Sequence, residues 1–403
     1  MNVEKTQAAP LELHRVKVLD LTQYLAGPFC TMLLGDMGAD VIKVEPVGKG
    51  DAVRSAKKSP STEDSYTFLC TNRNKRSLTL NVREPKGKDI LKKLAQRSDV
   101  LVENFRPGVM EKLEIGYEHI KPLNSRLIYL SISGFGATGP YAQRPGFDQI
   151  GQGMSGLMSV TGDESSGPMR VGIAIGDLLT GLFGANAILL ALIAREHTGE
   201  GQEVRTSILE SLIGVLSWSA GIYFETGKDP IPAGNHHPLF SPTGMFEVKD
   251  GYINIATGTE QMWLKLCQAL SLEKLTEDER FRTNAKRVEN RPELTKILNS
   301  KLREKMQKEW IDSLNALGVP TGPVYKLSQV FQDPQVLHLN MLVEIAHPTL
   351  GKVKMTGLPI KLEKNKGSIR LPPPLLGQHT EEVLKELGYN QEDIRALRKD
   401  GIC

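Results

Sequence analysis

Residues 16–45 read VKVLDLTQYLAGPFCTMLLGDMGADVIKVE. Val16 to Leu21 is a short apolar run of strand length. Pro28 to Met37 has helical spacing and ends at Gly38, and Val41 to Glu45 returns to a strand. The alternation continues outward. Ser77 to Val82 predicts a third strand. Pro85 opens a helix whose Ile90, Leu91, Leu94 and Ala95 share one face, and Val100 to Val102 and Leu127 to Ile132 predict two more strands. Strands that alternate with helices imply a mostly parallel, Rossmann-like sheet covered on both faces, so the fold class is α/β.

Leu178 to Ala194 is the most apolar stretch. It is short for a membrane span and contains Gly181, Gly184 and Asn186, so it reads as a buried helix of a soluble protein. Val204 to Ser207 and a helical run through Leu216 follow, and the texture changes near residue 225. Met245 to Val248 and Tyr252 to Ala256 flank Lys249-Asp250-Gly251 as a hairpin, and charged helical segments run from Glu260 to Leu317. The tail holds a strand-like stretch, Val353 to Leu362, then Pro372 to Pro374 and a short helix. These shifts set a smaller α+β domain at 226–325 apart from a large domain at 1–200, rejoined by 345–403.

The 403 residues are 40% apolar and 24% charged, the profile of a globular protein with enough chain for two cores. A net charge of +3 is too small to call for a nucleic-acid partner. Cys30, Cys70, Cys267 and Cys403 are too widely spaced for a disulfide framework or a Cys-x-x-Cys site, which fits a reducing cytosol. The N-terminal residues lack the apolar core of a secretory signal, so the expectation is a cytoplasmic protein without a membrane role.

Val171 to Gly181, VGIAIGDLLTG, is the first candidate for chemistry. Asp177 sits between Gly176 and Gly181 where an apolar run feeds a helix, and helix-start amides favour a carboxylate there. By pattern it serves as a nucleophile, a base or a helix cap. Gly151 to Gly156 matches G-x-G-x-x-G, but RPGFDQI before it makes a poor central strand, so close backbone packing is the better reading. His236-His237 is an adjacent pair, which suits a surface loop or a substrate contact better than a metal clamp. H-E-x-x-H, G-x-S-x-G and P-loop motifs are absent.

Together the segments resemble a family. LDLTQYLAGPFCTMLLGDMGADVIKVEPVGKGDAVR (19–54), NRNKRSLTLNV (72–82), VENFRPG (102–108), SISGFGATGPYAQRPGFD (131–148), GIAIGDLLTG (172–181), TGEGQEVRTSILE (198–210) and PPPLLGQHTEEVL (372–384) occur in an order similar to that of the family III (CaiB/BaiF) coenzyme A transferases. The resemblance spans Val16 to Leu387. It implies linkers at 201–225 and 326–344 between the two domains, an interlinked homodimer, and an enzyme that moves CoA from an acyl-CoA donor to a carboxylic acid. No cofactor is required, and coenzyme A is a substrate. Asp177 matches the family's active aspartate, which carries the acyl group covalently.

The resemblance also implies CoA contacts at Gln23, Tyr24, Leu25, Ala26, Leu80, Arg83, Asn104, Phe105, Arg106, Lys112, Phe147 and Asp148. Pro46 stands where formyl-CoA transferase has an arginine, which leaves Lys49, Arg54 or Arg73 to supply the charge. Lys75 and Arg76 are further candidates for the CoA phosphates. The amides around Gly176 and Gly234 are candidate oxyanion donors. Arg144, Arg170 and the histidine pair are candidates for a substrate's distal carboxylate. The segment from about 16 to 110 and the PPPLLGQHT tail look closest to succinyl-CoA-using members. The alternative within the family is a 2-methylacyl-CoA racemase, whose histidine acid/base position is Phe147 here, a side chain that cannot move a proton.

Overall fold

The computed structural model describes residues 11–56 and 64–403. The chain forms β1 (Lys17–Asp20), α1 (Ala26–Asp36), β2 (Asp40–Glu45), α2 (Tyr66–Thr71), β3 (Lys75–Thr79), α3 (Pro85–Gln96) and β4 (Val100–Glu103). It continues through α4 (Val109–Lys112), α5 (Tyr117–Ile120), β5 (Ile128–Ser133), α6 (Asp148–Met154), α7 (Ile175–Thr198), β6 (Glu203–Ser207), α8 (Ile208–Gly214) and α9 (Trp218–Thr226). Next come β7 (Thr243–Val248), β8 (Gly251–Ala256), α10 (Glu260–Ala269), α11 (Asn284–Glu289), α12 (Arg291–Leu302), α13 (Gln307–Ala316) and β9 (Thr321–Pro323). The last elements are α14 (Leu327–Val330), α15 (Pro334–His338), β10 (Leu342–His347), β11 (Gly351–Thr356), α16 (Thr380–Glu386) and α17 (Gln391–Lys399).

Among the described residues, the first compact unit comprises 11–56, 64–155, 172–216 and 335–403. Its sheet runs β3-β2-β1-β4-β5-β6 with every pairing parallel. That order reverses direction between β1 and β4, and open α/β sheets bind ligands at the carboxyl ends of the strands there. One face is filled by Leu19, Leu78, Ile90, Leu91, Leu94 and Leu101, and the other by Val18, Cys30, Val41, Ile128, Leu130 and Ile188. Strands buried on both sides have little room for charge, which is why they read as apolar runs. The second unit comprises residues 156–171 and 217–334, with the antiparallel sheet β7-β8-β9 and a core around Trp263, Phe281, Leu298, Trp310 and Leu314.

Three details depart from the sequence reading. The segment read as a linker, 201–225, carries β6, the edge strand paired with β5 from Tyr129↔Glu203 to Ser133↔Ser207, together with α8 and α9. Charged Glu203 and Arg205 obscured it, because an edge strand keeps one side toward water. The third strand begins at Lys75 rather than Ser77, since the fully buried Lys75 and the salt-bridged Arg76 are part of the strand. The apolar helix α7 buries only one face. Gly181, Gly184, Ala185, Ile188 and Ala191 face inward, while Leu190 and Ile193 are 68% and 60% exposed.

Candidate active site

The loops at the carboxyl ends of β1, β4 and β5 surround a cleft of about 290 Å³. Gln23, Tyr24, Leu25 and Ala26 lead from β1 into α1, and Asn104, Phe105 and Arg106 follow β4. Phe147 contributes from the start of α6, and Asp177 from the first turn of α7. Nine residues named from the sequence are thus brought together from four separate segments. Three others stand apart from the lining. Leu80 is buried in the core, and Arg83 and Lys112 are exposed elsewhere on the first unit.

Asp148 also leaves the lining, and its position explains Asp177. The Gly176 N–H donates to Asp148 Oδ1 at 2.8 Å, and Gln152 Nε2 donates to Oδ2 at 2.7 Å. The buried Asp148 carboxylate therefore sits at the positive end of α7 and does the capping that the sequence pattern allowed for Asp177. Asp177 lies two residues into the helix from Ile175, and its side chain caps no amide. Burial and, after it, the Asp148 charge push its carboxyl up to about 7. The α7 dipole works in the opposite direction, toward the ionised form. The result is a half-buried carboxyl poised near neutral pH, as catalytic groups often are.

Gly176 is required by this packing. A Cβ there would lie 2.9 Å from Ile208 Cγ2 and Leu212 Cδ1 and 3.1 Å from Asp148 Oδ1. Its amide is committed to Asp148 and is therefore not an oxyanion donor in this arrangement. In the second unit, the Gly234 N–H is likewise committed, to Gly162 O at 2.7 Å. The G-x-G-x-x-G stretch serves packing. A Cβ on Gly151 would meet Ile208 Cγ2 at 2.5 Å, so α6 and α8 touch through that glycine.

Of the basic residues considered for phosphates, Arg106 is exposed at the cleft. Lys75 is fully buried against Asp20 at 3.0 Å, and Arg76 pairs with Asp40, Glu382 and Glu386. Arg54 is buried between Glu45 and Asp64, and Arg73 against Asp36. Of the three candidates to replace the charge missing at Pro46, only Lys49 stays exposed, on the turn after β2. Charge alone did not separate these residues, because a buried partner lies far away in sequence.

Within the segment 132–146 the sequence reading singled out Arg144 alone for the site, and the structure adds Ile132, Ser133, Gly134, Ala142, Pro145 and Gly146 to the lining. Gly134 and Gly146 approach so closely that a Cβ on either would come within 2.9 Å of the other's Cα, and the loop between them closes on itself. The paired glycines in ISG and RPG were the available signal. Arg144 in this loop lines the cleft with its guanidinium 3.7 Å from the Tyr141 ring centroid. Phe147 meets Tyr24 edge-on at 5.5 Å and brings no proton-transfer group. At the base of the wall, Glu103 accepts the Phe105 N–H at 2.7 Å, and burial pushes its carboxyl up to about 7. Among the described residues, no cluster of three or more His, Cys, Asp or Glu side chains could hold a metal ion. His236 packs edge-on against Phe246 and His237 contacts Trp218 and Phe240, all within the second unit.

Residues 13–380 match the model for CoA-transferase family III. The succinyl-CoA:glutarate CoA-transferase of Mus musculus is 43% identical over 97% of this chain and 90% of that protein. The succinyl-CoA–D-citramalate CoA-transferase of Chloroflexus aurantiacus is 34% identical over 98% of both chains. A crystal structure of a CAIB/BAIF family protein from Brucella suis superposes with a TM-score of 0.84 at 37% identity, covering 94% of this chain and 100% of that one.

Proposed function

The chain belongs to CoA-transferase family III and is an enzyme that moves CoA between an acyl-CoA and a carboxylic acid, and from that premise we propose that Asp177 carries the acyl group and that succinyl-CoA is the donor. One observation carries the mechanism. Asp177 is the only acidic side chain among the residues lining the cleft, and among the described residues no hydrogen bond or ion pair engages its carboxylate.

The steps follow from its position. Ionised Asp177 attacks the donor thioester carbonyl, expels CoA thiolate and forms a mixed anhydride. The thiolate attacks the aspartyl carbonyl, which gives an aspartyl-CoA thioester and releases the donor acid. The acceptor carboxylate attacks that thioester and again expels the thiolate. The thiolate then takes the new acyl group and regenerates Asp177. A carboxylate needs no general base for this role once it is ionised, and desolvation in the half-buried site raises its reactivity.

Arg106 and Lys49 are the proposed partners for the CoA phosphates, and the start of α1 at Leu25 and Ala26, which lines the cleft, adds backbone amides. Arg144 is the proposed partner for a distal carboxylate, which suits a dicarboxylic acyl group. Two relatives whose names specify succinyl-CoA support that donor. The exposed stripe of Leu182, Leu190 and Ile193 on α7 supports a homodimer that covers it.

The test is to trap the intermediate. The enzyme is mixed with succinyl-CoA, then reduced with borohydride or cleaved with hydroxylamine, and the Asp177 peptide is read by mass spectrometry. The modification is expected at Asp177 and absent in Asp177→Ala. An Asp177→Ala enzyme with full exchange activity overturns the mechanism, and glutarate exchange from acetyl-CoA but not succinyl-CoA overturns the donor.

A further inference from the structure

The loop that enters α1 is held by buried side chains instead of by the sheet. Thr22 N and Oγ1 both donate to Asp20 Oδ1, at 2.9 and 2.5 Å. Thr22 O accepts Lys43 Nζ at 2.8 Å. Asn104 grips Gln23 at both ends, accepting its N–H at 2.9 Å and donating to its carbonyl at 2.7 Å. The Tyr24 N–H donates to Asp51 Oδ1 at 3.0 Å, and Tyr24 itself adopts φ +66°, a left-handed conformation costly for a tyrosine.

Asp51 is the meeting point. Its Oδ2 lies 2.9 Å from Lys43 Nζ, with both side chains fully buried. Its Oδ1 also accepts the Val53 N–H at 3.0 Å, and its own N–H donates to Glu45 Oε2 at 2.9 Å. Glu45 in turn binds Arg54 and Ser77. The turn carrying Asp51 fits because Gly50, at φ +68°, has no Cβ to strike Arg54 Cδ 2.7 Å away. Burial disfavours the Lys43 cation, and the neighbouring Asp51, Asp20 and Glu45 more than offset it.

A fully buried ion pair is a poor means of gaining stability, since desolvation costs roughly what the attraction returns. Holding a loop in one unfavourable shape is a better account of why this pair reaches the backbone of residues 22 and 24. We propose that Asp51 and Lys43 are positioning residues of the acyl-CoA site, a buried ion pair that fixes Gln23 and Tyr24 in their binding geometry before the ligand arrives. Preorganisation of this kind removes the ordering cost from the binding step. The inference rests on the reading of the cleft as the acyl-CoA site.

Two measurements test it. Hydrogen exchange on the ligand-free enzyme should find the amides of Thr22, Gln23 and Tyr24 protected to the level of β1. Exchange as fast as in an exposed loop overturns the proposal, and this readout needs no variant. Asp51→Asn, which keeps an acceptor for Tyr24 but removes the charge facing Lys43, should weaken CoA binding at least tenfold by calorimetry. It should raise KM for acyl-CoA and leave KM for the acceptor acid unchanged. Asp36→Asn is the control, because it breaks the equally buried Arg73 pair, which does not reach the loop. CoA affinity within twofold of the parent in Asp51→Asn, or an equal loss in Asp36→Asn, overturns the proposal. Failure of the parent enzyme to bind CoA would instead refute the reading of the cleft.

Discussion

Asp148→Asn separates the charge at the α7 N-terminus from its hydrogen bonds. Asparagine keeps an oxygen for the Gly176 N–H, and Gln152 can turn its amide to meet the new NH2 group. The negative charge facing Asp177 is lost. The Asp177 carboxyl rises from 3.8 to about 7, a difference of about 3 units, or ~4 kcal/mol at about 1.4 kcal/mol per unit. Burial is the larger cause and Asp148 the smaller, so the variant should recover less than half, about 1 unit. The sign is fixed by the chemistry. Only ionised Asp177 attacks, so activity is lost as pH falls through its pKa, and removing a nearby negative charge moves that loss to lower pH. At pH 6 a shift from about 7 to about 6 raises the ionised fraction ~5-fold. The assay is kcat/KM for CoA exchange from pH 5 to 9, which reports the free enzyme. An acid limb that stays in place or moves upward refutes the electrostatic coupling.

Asp177→Asn should abolish exchange yet stabilise the fold above neutral pH. A raised carboxyl pKa means that folding favours the protonated form, so the destabilisation is absent below pH about 4, grows to about 7 and then levels off. Thermal unfolding should show a gain of ~1–2 kcal/mol at pH 8 and none at pH 4. Gly176→Ala places a methyl against Ile208, Leu212 and Asp148, and should cost ~1–3 kcal/mol in denaturant unfolding together with a fall in kcat. Lys75→Met leaves Asp20 charged and unpaired in the core, and should lose ~3–5 kcal/mol of stability. A stable Lys75→Met protein with weakened CoA binding would restore Lys75 as a phosphate ligand. Arg106→Ala should weaken CoA binding and flatten its salt dependence without changing the melting temperature, as titrations at two ionic strengths would show.

Much of the molecule was legible in its sequence. Strand and helix periods are local, so the βαβ unit at 16–45 and the hairpin around Lys249-Asp250 appear at nearly their observed limits. The ordered motifs carried the family, and nine of the named site residues meet in one cleft because the motifs lie at the carboxyl ends of β1 and β4 and the starts of α6 and α7. What tertiary structure alone decided is which charges are spent on each other. Lys75, Arg54 and Arg73 resemble ligands for an anion until Asp20, Glu45 and Asp36 are seen beside them. Asp148 and Asp177 are two aspartates that meet at one helix start, and the motifs marked both, Asp177 as the active carboxylate and Asp148 as a CoA contact. The fold places Asp148 on the Gly176 amide and leaves Asp177 open to the cleft, because one helix end has room for one buried capping carboxylate, and the second, desolvated by its own burial and set beside that charge, is driven toward neutral pH.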